Sequence, residues 1–102
     1  MDLKTILTAL RHWLPGVPLP AQVLTDRDDA LRVIFETENT LAELIASDGA
    51  YTPCRFVSFT VLDTRLDLPA EPVFCFYDND SHTVEDILRA LDRGMAHIAG
   101  MH

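Results

Sequence analysis

Leu3, Ile6, Leu7, Leu10 and Leu14 recur at helical spacing along the start of the chain. That spacing places them on one stripe and predicts an amphipathic N-terminal helix. Pro15, which opens the run PGVPLP, ends it, because proline disfavours helical angles in the residue before it and cannot continue the ladder of hydrogen bonds. Trp13 falls beside the stripe at the helix end. It can pack over the edge of the core or anchor a partner.

Residues 22–37, QVLTDRDDALRVIFET, admit two patterns. Leu31, Ile34, Phe35, Leu41 and Ile45 make a helical stripe interrupted at Glu38. Against that, the polar DRDD between apolar runs has the form of a hairpin turn, and the β-branched and aromatic content of RVIFET suits a strand. The pattern therefore predicts a hairpin, with strands over 23–25 and 31–37. TLAELIASDG follows as a short predicted helix: Thr40 with Glu43 three residues on has the form of a capping box, and Gly49 is placed to close the last turn.

The clearest strands are 54–63, CRFVSFTVLD, and 72–78, PVFCFYD. Val57, Phe59 and Val61 alternate with Ser58, Thr60 and Leu62; Phe74 and Phe76 alternate with Val73, Cys75 and Tyr77. Both faces carry apolar residues, which predicts a sheet covered, at least in part, on both sides by helices or a second subunit. Folding the pair about its connection sets Cys75 opposite Val61, leaves Cys54 beyond the strand's far end, and argues against a disulfide between the two. Last comes a second amphipathic helix, with Val84, Ile87, Leu88, Leu91, Met95 and Ile98 on one face and Glu85, Asp86, Arg89, Asp92 and Arg93 on the other. Gly94 weakens the pattern near its end. VIFETENTLAEL and FCFYDNDSHTVEDIL share an order of strand, acidic turn and helix-like run. The expected architecture is α+β: one domain over 1–102, with an N-terminal helix followed by two ββα units and an antiparallel sheet packed with helices.

Composition limits what this framework can do. A chain of 102 residues, 48% hydrophobic and 24% charged, folds around one core. The formal charge is −8. Much of it lies in residues 25–50, where seven carboxylates face two arginines for a net −5. Such a surface repels phosphate backbones, so direct nucleic-acid binding is not expected, whereas a basic protein surface suits it. Apolar residues beyond what a short chain buries point to a homodimer or a tight partner. No run of the sequence is long enough to cross a bilayer. Asp2, Thr5 and Thr8 break any likeness to a signal peptide, and two separated cysteines make no disulfide framework. The expected compartment is the cytoplasm.

Asp78-Asn79-Asp80-Ser81-His82 is the stretch with most chemistry. As a calcium loop counted from Asp78 it fails, since the sixth residue is Thr83 and the twelfth Arg89, where glycine and a carboxylate are needed. As a zinc site it lacks further ligands nearby in sequence. Ser81 and His82 are adjacent, which rarely yields nucleophile–base geometry, and there is no nucleophile elbow or phosphate-cradling glycine loop. The structural reading accounts for more: Ser81 or Thr83 caps the following helix, Thr83 with Asp86 makes a capping box, and Asp80, Glu85 and Asp86 sit where the helix dipole favours negative charge.

No metal, cofactor or catalytic residue is therefore expected. The reading that follows is a small non-enzymatic regulator of the immunity-protein, antitoxin or inhibitor type. It would occlude a basic partner surface with Asp26, Asp28, Asp29, Asp78 and Asp80, and with Trp13 as an apolar contact. In the order of its elements the chain also resembles type III secretion chaperones. That resemblance, which covers element order and no motif, implies a dimer holding an unfolded client along apolar grooves. A small metal-dependent enzyme using the 78–82 region ranks third.

Overall fold

A computed structural model describes residues 2–48, 55–65 and 71–100. Helix α1 spans Leu3–Trp13 and is followed by one 3-10 turn, Leu14–Gly16, at Pro15. Asp2 caps α1, accepting a bond from the Thr5 N–H at 2.9 Å. Five strands come next: β1 (Ala21–Arg27), β2 (Ala30–Glu36), β3 (Thr40–Ser47), β4 (Val57–Asp63) and β5 (Phe74–Tyr77). Helix α2, Val84–Ala99, ends the described fold. The fold is α+β. The strands form one antiparallel meander in the order β1-β2-β3-β4-β5.

Strand alternation decides where the core sits. Val33 and Phe35 of β2, Ala42, Leu44 and Ala46 of β3, and Val57, Phe59 and Val61 of β4 point to one face and are buried. Ile6, Leu7 and Leu10 of α1 and Ile87, Leu91 and Ile98 of α2 join them in a single cluster, so both helices lie on the same side of the sheet. A row of rings crosses this layer. Trp13 meets Phe35, Phe35 meets Phe59, and Phe59 meets Phe74 in edge-on contacts with centroids 6.1–6.3 Å apart, an arrangement that the ring quadrupoles favour. Beneath the row, Gly94 of α2 lets the helix backbone approach Phe59 and Phe74. The glycine that weakens the helical pattern is thus a point of close packing.

Two expectations change. Residues 40–47 are a strand and not a helix: every second residue, Thr40, Ala42, Leu44 and Ala46, is buried. Glu43 caps nothing; it reaches across the sheet to Arg32, at 2.6 Å and 2.8 Å. The first of the two ββα units is accordingly a three-stranded meander, while β4, β5 and α2 do follow one another as strand, strand, helix. The register of β4 and β5 is shifted by one residue, with Phe74 opposite Val61 and Cys75 opposite Thr60. A one-residue slip exchanges the faces of a strand, and this register is the one that turns Phe74 and Phe76 towards the helices. The described helices cover one face of the sheet. Arg32, Ile34, Leu41, Glu43, Ile45, Thr60 and Leu62 lie on the other, where no described helix or strand packs.

The hairpin over 22–37 is present, with strands at 21–27 and 30–36 around Asp28 and Asp29. The capping box at α2 is formed by Thr83 and Asp86. Gly49 and Cys54 lie outside the described residues; Cys75 is an exposed free thiol. No described helix is long and apolar enough to cross a membrane.

At the end of β4, the Arg65 guanidinium and then its backbone N–H hold the Asp63 carboxyl down to about 2 from its ordinary 3.8. A carboxyl held low when folded stabilises the protein above its unfolded pKa, and that contribution is lost as pH falls through the folded value. Carbon-13 titration is expected to place the Asp63 midpoint at about 2. In Arg65→Met it should move up towards 3.8, and the part of the acid destabilisation lying between those values should shrink.

Candidate functional site: the acidic end of the sheet

In an antiparallel meander, alternate connections fall at the same end of the sheet. The β1–β2 turn, the end of β3, the start of β4 and the β5–α2 junction therefore share one end. This brings together the two acidic turns, which are some fifty residues apart in sequence. Three strand spacings separate β2 from β5, roughly 14 Å.

The first turn is the two-residue connection Asp28-Asp29, with both residues exposed. Asp26 just before it is bound by Arg11 of α1, at 2.9 Å, and the same arginine donates to the Arg27 carbonyl oxygen. Asp29 lies 3.6 Å from the Arg27 guanidinium. Asp28 makes no ion pair among the described residues. Asp28 and Asp29, with Asp2 and Lys4 from the start of α1, Asp48 after β3 and Phe56 before β4, line a shallow depression of about 390 Å³. Four aspartates and one lysine thus line it.

The second turn divides between inside and outside. Asp78 does not present its carboxylate to a partner: it is 1% exposed. Its Oδ1 accepts the backbone N–H groups of Arg55, Phe56 and Val57 at 3.0, 2.7 and 2.8 Å. Its own N–H and carbonyl bond the Val57 carbonyl and the Arg55 N–H. Oδ2 is buried with no hydrogen-bond partner among the described residues. Asp78 is thus a clasp that fixes the entry to β4 against the exit of β5. Its burial follows from parity, since Phe74, Phe76 and Asp78 continue one inward-pointing series. Asp80 is the acid of this turn that reaches solvent; it pairs with Arg55 at 3.2 Å, and the Arg55 guanidinium lies over the Phe56 ring, 4.7 Å from its centre.

The remaining polar groups of the turn serve its shape. The Ser81 hydroxyl donates to Asn79 Oδ1 at 2.6 Å, and His82 Nδ1 accepts the Asn79 N–H at 3.0 Å. Ser81 therefore faces Asn79 and not the imidazole. Among the described residues no three His, Cys, Asp or Glu side chains are gathered as a metal would need. Trp13 lies away from the acidic end, half-buried, with its indole N–H donated to Asp92 at 2.9 Å and its ring edge-on to Phe35. It braces the junction of α1 with α2 and the core.

The structure thus gathers Asp28, Asp29 and Asp80 at one end, turns Asp78 inward, ties Asp26 to α1 and sets Trp13 apart. It adds Asp2, Asp48, Arg55 and Phe56, which the sequence did not single out. Asp48 lies near the end of a stretch expected to be helical, so its approach to the first turn had no signal along the chain. No protein-family model, curated protein or solved structure matches this chain.

Proposed function

We propose that this protein is a small, non-enzymatic, cytoplasmic regulator that binds a basic surface of another protein through the acidic end of its sheet. It would act as immunity proteins, antitoxins and inhibitors do, by occluding that surface. The observation that supports this most is the convergence of Asp2, Asp28, Asp29 and Asp48 on one depression, with Asp80 at the same end. Carboxylates held together in this way raise each other's field and steer a positive surface into register; their effect appears mainly in association rate and in salt dependence. Phe56, which also lines the depression, provides an apolar contact among the charges.

Immobilised protein exposed to lysate of its native host at low and high salt tests the reading. The expected result is a basic protein retained at low salt, released at high salt, and lost from the triple variant Asp28→Asn, Asp29→Asn, Asp80→Asn. All three side chains are exposed, so the variant retains the fold. Absence of any salt-sensitive partner, or equal retention by the variant, overturns the proposal.

A second reading, a dimeric chaperone for an unfolded client, draws on the sheet face opposite the helices, where Ile34, Leu41, Ile45 and Leu62 lie uncovered by any described element. Sedimentation separates the two: a monomer that leaves denatured clients free to aggregate excludes the chaperone.

A further inference from the structure

Given a basic protein partner, we propose that it is gripped as an extended segment added to the outer edge of β1, with an apolar side chain over Leu24 and basic side chains beside Asp28 and Asp29. β1 is the end strand, with β2 as its one neighbour in the sheet. Six of its seven residues are exposed. Val23 and Leu24, 47% and 45% exposed, are two of the four large apolar side chains left open among the described residues. Val23 pairs with Val33, which is fully buried on the helix side, so the helical layer leaves Val23 and Leu24 open, while nearer the turn Arg11 of α1 reaches Asp26 and the Arg27 carbonyl.

Sheets usually blunt such an edge with lysine, proline or a bulge. Here Pro20 precedes the strand, no lysine occurs within it, and a bulge falls at Leu24, where the register with β2 shifts between Val23 and Thr25. The bulge divides the edge into two runs, 21–23 and 25–27, with the exposed Leu24 at their junction. The second run leads directly into the acidic turn. In strand addition the backbone supplies affinity and alternate side chains supply specificity; the side chains that meet this edge are first apolar, then positive. A second copy of this chain fits less well, because it brings another −8 against −8 and its own acidic turn to the same edge.

The probe is a synthetic heptapeptide alternating lysine and valine, titrated into the isotopically labelled full chain and followed by amide shifts and amide exchange. Controls are a lysine–glycine peptide of equal charge and a glutamate–valine peptide of equal apolarity. The expected result is binding of the lysine–valine peptide with shifts and new exchange protection centred on residues 21–29. Affinity should fall about tenfold for the lysine–glycine peptide, and about tenfold in the double variant Val23→Thr, Leu24→Thr. No binding of the glutamate–valine peptide is expected. Equal binding of the lysine–glycine peptide, unaffected by the double variant, overturns strand addition while leaving the acidic end as a general docking surface. Loss of host-partner capture in the acid-to-amide triple variant, with capture intact in Val23→Thr, Leu24→Thr, does the same. A dimer in sedimentation that the double variant dissociates, together with no peptide binding, identifies a second copy as the occupant and overturns the inference.

Discussion

Asp78→Ala is expected to destabilise the protein by about 3 kcal/mol, since each buried donor left without an acceptor costs on the order of 1–3 kcal/mol. The N–H groups of Phe56 and Val57 lose their side-chain acceptor at once, and that of Arg55 keeps only the Asp78 carbonyl. The Val57 bond is buried and the other two are partly so, which lets water recover some of the loss. A decrement of this size is a large fraction of the stability of a small domain. Asp78→Asn is the informative companion. Its amide oxygen keeps the geometry but loses the charge, and its nitrogen enters the buried position where Oδ2 has no partner among the described residues. The expected loss is intermediate, about 1–2 kcal/mol. Urea denaturation measures both, and amide exchange at residues 55–57 should rise in the same order. An alanine variant within experimental error of wild type, with those amides still protected, would show that the clasp contributes nothing.

Gly94→Ala should also destabilise, against the usual trend. At an exposed helical position this change gains about 1 kcal/mol through helix propensity. Here a Cβ would overlap Phe59 Cε2 outright and stand 2.9 Å from Cδ2 and 3.0 Å from Phe74 Cε1. Phe59 is fully buried between Phe35 and Phe74 and has little room to turn. Overpacking of this kind costs about 1–3 kcal/mol, enough to reverse the propensity gain. Gly94→Val, with two more methyl groups, should cost more. The double variant Gly94→Ala, Phe59→Leu provides the check: relief of the overlap predicts that it is more stable than the sum of the single losses, a coupling that a thermodynamic cycle in urea would detect. Strict additivity would place the cause elsewhere.

Both positions bear on function through the same route. The clasp at Asp78 holds Arg55 and Phe56 beside Asp80, and the Gly94 contact seats α2, whose capped N-terminus completes that end of the sheet. Loosening either should broaden the acidic end without removing a charge, so partner binding in Asp78→Asn should weaken at every salt concentration, whereas neutralising Asp28 or Asp29 should reduce the salt dependence itself.

Much of the fold was legible because it is local. The helical stripes at 3–14 and 84–98, the hairpin turn at Asp28-Asp29, the alternation of 57–61 and 74–76 and the capping box at Thr83 each depend on residues within one or two turns of each other. Residues 40–47 were not legible for a related reason. Thr40, Glu43 and the Leu and Ala residues between them satisfy helical rules as well as strand rules, and nothing within the segment separates the two. What decides is the vacancy between β2 and β4, where Ala42, Leu44 and Ala46 complete the inward face. The register of β5 lay equally out of reach, because the connection sets it and only the fit of Phe74 and Phe76 under α2 distinguishes one alignment from the next.

The sequence by itself determined the class of fold, the acidic character of the surface and the identity of both acidic turns, all of which depend on composition and short-range period. Tertiary structure alone decided that those turns meet at one end, that Asp78 faces inward while Asp80 faces out, and that Val23 and Leu24 of β1 are left open. These outcomes depend on which strand lies beside which. Strand order brings distant residues together through burial and backbone pairing, and no single segment carries that information.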